Sequence, residues 1–182
     1  MALNLSGTTG IVSANIENGT IVSANIQNGT ILQTKLASTT ASGGPAFSAY
    51  LSANQTITNN TYTKVTIDSE TFDTASCFDT SSARFTPNAA GYYFANFTAR
   101  LSGSASPQIY VWQLRKNGAA VCELNVNTNV PTYDSRSLIS LISMNGTTDY
   151  LEAWVYFTTG GTNTVLGSAG LTYFEAYLAK GF

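Results

Sequence analysis

Two hydrophobic rhythms divide the chain. Between residues 10 and 36 an apolar and polar pattern recurs every ten residues: Gly10-Ile11-Val12-Ser13-Ala14-Asn15-Ile16, then Gly19-Thr20-Ile21-Val22-Ser23-Ala24-Asn25-Ile26, then Gly29-Thr30-Ile31-Leu32-Gln33-Thr34-Lys35-Leu36. A unit this short cannot enclose a core, so neighbouring units or other chains must cover its apolar positions. Ile11, Ile16, Ile21, Ile26, Ile31 and Leu36 are the positions expected to pack, in an extended repeat stalk. From Phe47 onward the rhythm changes to short runs with a period of two, and no long stretch carries the 3.6-residue period of a helix.

Those runs predict strands at 46–52, 63–67, 83–86, 92–101, 108–116, 119–126, 136–144, 150–158 and 171–179. Asn117-Gly118, Asn145-Gly146 and Gly160-Gly161 fall between them and can supply the positive φ of a tight reversal. So many short strands with turn signals between them predict an all-β head, a jelly-roll sandwich. The expected organisation is a stalk and attachment region at 1–36, a flexible linker of small residues at 37–45, and the head at 46–182.

Two of the strands are apolar on both faces. In the first, Tyr150, Glu152, Trp154 and Tyr156 share one face and Leu151, Ala153, Val155 and Phe157 the other. In the second, Tyr173, Glu175 and Tyr177 lie opposite Phe174, Ala176 and Leu178. A strand that turns its second face to water favours small polar or charged side chains there, whereas rings with an apolar body and a polar tip are enriched at protein interfaces. Tyr150, Trp154, Tyr156, Tyr173 and Tyr177 are therefore expected to line a subunit interface, with one sheet burying its outer face against another copy.

Composition sharpens the boundary between the two regions. Residues 1–46 hold no aromatic side chain and only two charges, Glu17 and Lys35, while all the Phe, Tyr and Trp residues lie between Phe47 and Phe182. The net charge is −2 and the eight Lys and Arg residues are scattered, so a nucleic-acid partner is not expected. Charged residues make up only 10% of the chain, and solvation by neutral Ser, Thr, Asn and Gly is common in extracellular and virion β-proteins. Met1-Ala2-Leu3-Asn4 has no basic segment followed by an apolar stretch, so neither a signal peptide nor membrane insertion is expected. A virion component, assembled in the host cytoplasm and released by lysis, fits that reading.

Catalytic chemistry finds little purchase. The chain has no histidine, which removes the usual general base and the commonest zinc ligand. Gly167-Ser168-Ala169-Gly170 is one residue short of a nucleophile elbow. Asp68, Glu70, Asp73 and Asp79 could in principle supply the acid pair of a glycosidase, but they read as solvated loop charges. No Asp-x-Asp-x-Asp spacing is present for calcium. The chain is thus not expected to be an enzyme, and no cofactor or metal is assigned. Cys77 and Cys122 are too few for a disulfide framework and read as small free thiols. The sequons at Asn18, Asn28, Asn96 and Asn145 are expected to stay unmodified without an export signal.

From Phe47 to Phe182 the sequence resembles the globular head of complement component one q and the related tumour necrosis factor superfamily. Asp73, Phe78, Phe85, Gly91, Tyr93 and Phe97 fall at the spacings of that family's motif. Ile67 stands in place of its first aromatic, and Ala95, beside Phe94, in place of the Phe of Gly-x-Tyr-x-Phe. Ala46-Phe47-Ser48-Ala49 and Leu114-Arg115-Lys116-Asn117-Gly118 add to the likeness. The resemblance implies a homotrimer in which the sheet containing the last strand packs around the threefold axis, where Tyr173 and Tyr177 fall. Residues 1–36 have no collagen period and instead resemble the stalk repeats of phage tail and head fibres.

Together these readings point to a homotrimeric phage virion fibre or appendage protein. Its N-terminal region would hold another virion protein. Head loops at 102–107, 127–133 and 159–165, rich in Asn, Thr, Gly, Ser and Tyr, would meet a host surface glycan or protein. A capsid or head-fibre decoration protein with a structural role is the alternative, and a polysaccharide depolymerase a more distant one.

Overall fold

Alternation of apolar and polar positions sorts the strands into two layers. The computed structural model describes residues 43–102, 108–128, 133–158 and 163–182, all within the unit Gly43–Phe182. The stalk positions Ile11, Ile16, Ile21, Ile26, Ile31 and Leu36 lie outside the described residues. The strands are β1 (Ala46–Tyr50), β2 (Gln55–Ile57), β3 (Thr63–Lys64), β4 (Ser69–Asp73), β5 (Phe78–Asp79), β6 (Arg84–Phe85), β7 (Gly91–Ser102), β8 (Gln108–Lys116), β9 (Ala119–Thr128), β10 (Tyr133–Met144), β11 (Leu151–Thr158), β12 (Asn163–Val165) and β13 (Tyr173–Gly181). No helix interrupts them among the described residues.

One sheet runs β10-β7-β13-β1-β4, with β12 and then β2 joining β7 near its C-terminal end. The other runs β9-β8-β11, and β3 and β6 share the far edge of β11. All pairings are antiparallel, and from β7 onward the chain passes repeatedly between the sheets, as a jelly roll does. Phe47, Phe85, Phe97, Phe157, Phe174, Tyr110 and Trp112 fill the space between the layers. Trp112, on β8, donates its indole N–H to the Ala99 carbonyl of β7 at 3.1 Å, so the largest ring of the core leaves no buried donor unpaired.

Thirteen strands stand among the described residues where nine were expected. The 63–67 run is divided: Thr63 and Lys64 pair with β11, Val65 still donates to the Ala153 carbonyl, and the chain then crosses to form β4. The acidic composition of β4 hid it from a pattern search. In the 159–165 segment, expected to be loop, Asn163–Val165 form β12, with Asn163 and Val165 buried.

The two ends of the sandwich differ. Ser102 pairs with both Tyr133 and Thr164, Thr158 with Ile109, and Gln108 with Thr128. The three connections between sheets that follow Ser102, Thr128 and Thr158 therefore all leave from one end. Residues 103–107, 129–132 and 159–162, most of the loops expected to contact a partner, lie outside the described residues. The unit begins at the other end, where Leu178 donates to the Pro45 carbonyl, beside the Asn117-Gly118 and Asn145–Asp149 turns.

Gly146 serves that second end. Its φ is +72°, and a Cβ there would overlap the backbone of Ala89 and Ala90. Gly146→Ala is expected to cost about 1–2 kcal/mol for the left-handed backbone alone, before the overlap is counted. Thermal unfolding checks it, and an unchanged Tm would contradict it.

Candidate functional site

The seven-stranded sheet has an outer face that no other described residue covers. Register fixes its rows. Leu141, Phe94, Tyr177 and Ala46 lie side by side across β10, β7, β13 and β1. The next row holds Ile139, Asn96, Glu175 and Ser48, with Phe72 of β4 at its end. The third holds Ser137, Thr98, Tyr173 and Tyr50. Leu141 is 61% exposed, Ile139 53% and Tyr177 50%.

Seven of the nine large apolar side chains left exposed among the described residues belong to this face or its rim: Phe72, Tyr92, Tyr133, Ile139, Leu141, Tyr177 and Phe182. Phe182 stands edge-on to Tyr92 at 5.1 Å, and Phe94 lies 5.3 Å from Tyr177. Scattered apolar residues are ordinary on a surface, whereas a contiguous patch marks an interaction site.

The opposite outer face, on the six-stranded sheet, is closed by its own cations. Glu152 is 3% exposed. Its Oε1 receives Arg84 Nη2 at 2.9 Å and Lys64 Nζ at 3.2 Å, and its Oε2 receives the Trp154 indole N–H at 3.1 Å. The Arg84 guanidinium also lies 3.8 Å above the Tyr150 ring. Arg115 sits 4.2 Å from Trp154 and 5.0 Å from Tyr62, and Tyr62 in turn packs 4.8 Å from Tyr156.

The structure therefore does not bring the five expected interface rings together. Tyr173 and Tyr177 lie on the open face, and Tyr150, Trp154 and Tyr156 on the closed one. Sequence reasoning missed Ile139 and Leu141, although Leu138-Ile139-Ser140-Leu141-Ile142 is apolar on both faces in the same way as β11 and β13.

Burial pulls the Glu152 carboxyl toward higher pKa, but the hydrogen bonds from Arg84, Trp154 and Lys64 outweigh it and hold the group below the usual Glu value of 4.5. A folded-state pKa below the unfolded one stabilises the protein above the unfolded value and ceases to do so as the pH falls through the folded one. Stability is expected to be level near neutrality and to fall below about pH 4.5. Glu152→Gln is expected to flatten part of that fall and to cost about 2 kcal/mol at pH 7. Denaturant melts across pH check both, and a variant with wild-type stability would contradict the cluster's role.

The remaining candidates resolve into local structure. Asp68 accepts from the Ser52 N–H and hydroxyl, Asp73 from the N–H groups of Ala75 and Phe78, and Asp79 from Ser81 and Ser82. The Ser81 and Ser82 hydroxyls hold Asp79 at about 2, and Ser52 holds Asp68 low against the opposing pull of burial. Both shifts run opposite to what a general acid needs. Gly167-Ser168-Ala169-Gly170 is a turn: Asn54 accepts from the Gly167 N–H, and Leu171 donates to the Ser168 carbonyl. Cys77 is buried, Cys122 half-buried, and both are free thiols. No three His, Cys, Asp or Glu side chains converge on a metal-sized site among the described residues. No helix among them is long and apolar enough to cross a membrane.

No protein-family model matches the sequence, and no curated protein does. Solved structures do match. The globular domain of the zebrafish complement 1qA protein aligns at a TM-score of 0.50 and 15% identity, over 76% of this chain and 99% of that one. Murine APRIL aligns at 0.54 and 9% identity, over 73% of this chain and 97% of that one. The fold is the jelly roll of the complement one-q and tumour necrosis factor heads.

Within that jelly roll the motif read from the sequence is the core itself. Ile67, Phe78, Phe85, Tyr93 and Phe97 are buried, Asp73 holds the turn that brings Phe78 inward, and a Cβ on Gly91 would overlap the Lys180 carbonyl. The departure at Ala95 has a physical reading. Ala95 is fully buried, and Phe94 next to it faces outward against Tyr177, so the ring moves from the core to the open face.

Proposed function

We propose that this chain is a self-assembling binding protein: a homotrimeric jelly-roll head borne on a repeat stalk, as in a phage virion fibre or appendage. The observation that carries the reading is the concentration of exposed rings and aliphatic side chains on one outer face. A monomer would leave that patch in water, while three copies packed on this face would bury it. The ten-residue repeats, whose apolar positions neighbouring units or other chains must cover, fit an assembly as well. Tyr173 and Tyr177 then line the interface, together with Phe94, Ile139 and Leu141. Tyr150 and Trp154, already partnered by Arg84, Glu152 and Arg115, and Tyr156, packed on Tyr62, face outward.

The two ends of the sandwich suit a fibre tip. The chain enters at one end, and three connections between sheets leave from the other, which frees those loops for a host surface glycan or protein. The N-terminal region anchors to another virion protein. Labelled full-length protein is expected to bind whole cells of at least one host in a bacterial panel and to compete there with phage adsorption. Binding to purified particles with no cell binding would favour a decoration protein with a structural role, and release of reducing sugar from host polysaccharide would favour a depolymerase.

A further inference from the structure

A polar patch lies in the middle of the open face, with Ser48, Glu175 and Asn96 in one row and Thr98 and Ser137 in the next. Ser48 donates its hydroxyl to Glu175 Oε1 at 2.9 Å, and Asn96 donates its amide to Glu175 Oε2 at 3.3 Å. The patch continues into the adjacent row: Thr98 donates to Asn96 Oδ1 at 3.4 Å, and the Thr98 and Ser137 hydroxyls pair at 2.7 Å. Leu141, Phe94 and Tyr177 stand one row nearer the chain's entry, and the rings of Tyr173 and Tyr50 one row beyond Glu175.

Glu175 lies on the outer face of β13, whose backbone pairs with β1 and β7 whatever side chain stands there, and a strand face turned to water would accept Thr or Ser at this position. Yet the carboxylate is tethered at both oxygens, from β1 on one side and β7 on the other, so the charge cannot swing to the rim as a free surface Glu does.

On the reading of this face as the subunit interface, we infer that Glu175 determines the specificity of the assembly, fixing the register in which copies meet there. An open face of rings and aliphatic side chains is adhesive but undiscriminating, because hydrophobic burial has no direction. A tethered carboxylate changes that. If a second copy is set so that its Leu141 or Phe94 faces the carboxylate, the charge loses water and gains no donor in return. If the copies meet with their polar patches aligned, donors from Ser48, Asn96, Thr98 and Ser137 of the neighbour lie within reach of the same patch and can satisfy it. Off-register contacts are penalised, and the aligned one is spared. The cost is some affinity, as with a single polar residue in a coiled-coil seam.

Native mass spectrometry and sedimentation velocity of the full chain test this, with Glu175→Leu and Glu175→Gln compared against wild type. Glu175 faces outward, so both variants should keep the wild-type circular-dichroism spectrum and melt at or above the wild-type temperature. Glu175→Leu is expected to raise the share of non-trimeric species by about tenfold or more, as dimers and larger assemblies. Glu175→Gln, which still offers Ser48 an acceptor, is expected to remain trimeric. A Glu175→Leu protein that is as uniformly trimeric as wild type overturns the inference and leaves the trimer intact. A Glu175→Gln protein that scatters as the leucine variant does also overturns it. A monomeric wild type overturns the trimer reading and this inference together.

Discussion

Leu141→Asp combined with Tyr177→Asp is expected to reduce the particle to one third of its mass without unfolding it. Both side chains are more than half exposed in the protomer or close to it, at 61% and 50%, so the free subunit should lose no more than about 0.5 kcal/mol. They flank Phe94 in the row nearest the chain's entry. In a trimer built on this face each copy would bury two carboxylates with no cation beside them, and an unpaired buried charge costs several kcal/mol. Sedimentation equilibrium checks the mass and far-ultraviolet circular dichroism the fold. A double variant that stays trimeric would place the interface elsewhere.

Phe47→Ala is expected to produce the largest loss of stability of any single core change. The ring is stacked 4.6 Å from Phe78 and 4.6 Å from Phe85, and Phe174 meets it edge-on at 5.0 Å. It therefore joins β1, β5, β6 and β13, drawn from both sheets. Truncation leaves a ring-sized cavity among aromatic neighbours too rigid to close it, at about 3–5 kcal/mol. That is a large share of a typical domain's total of about 5–15 kcal/mol. Urea unfolding followed by tryptophan fluorescence gives the number, since Trp112 lies in the same core. A loss under about 1 kcal/mol would mean that the sheets are held chiefly by other contacts.

What could be read from the chain was whatever repeats with a fixed period. The long strands β7 to β11 and β13 fall close to their expected positions because six or more alternating residues outweigh local noise. β2, β5 and β12 are two or three residues long, too short for any period, and β4 carries Glu70 and Asp73 where apolar residues would have announced it. At the candidate interface the two-faced pattern of β13 identified Tyr173 and Tyr177 correctly as outward rings. The same pattern on β11 pointed to Tyr150, Trp154 and Tyr156, and here sequence had no means of showing that Arg84 folds over Tyr150, Arg115 over Trp154, and Tyr62 against Tyr156. Arg115 comes from the neighbouring strand and Arg84 from β6, far along the chain. Periodicity reports which side chains leave the core, and tertiary contacts decide which of those remain uncovered.

The most direct test is the mass of the full-length protein in solution, by light scattering behind gel filtration at micromolar concentration. Burial of the open face by three copies requires a species of about 58 kDa, three times the 19.3 kDa of one chain. A stable, well-behaved 19.3 kDa species would contradict it, because Leu141, Ile139, Phe94 and Tyr177 would then stand permanently in water.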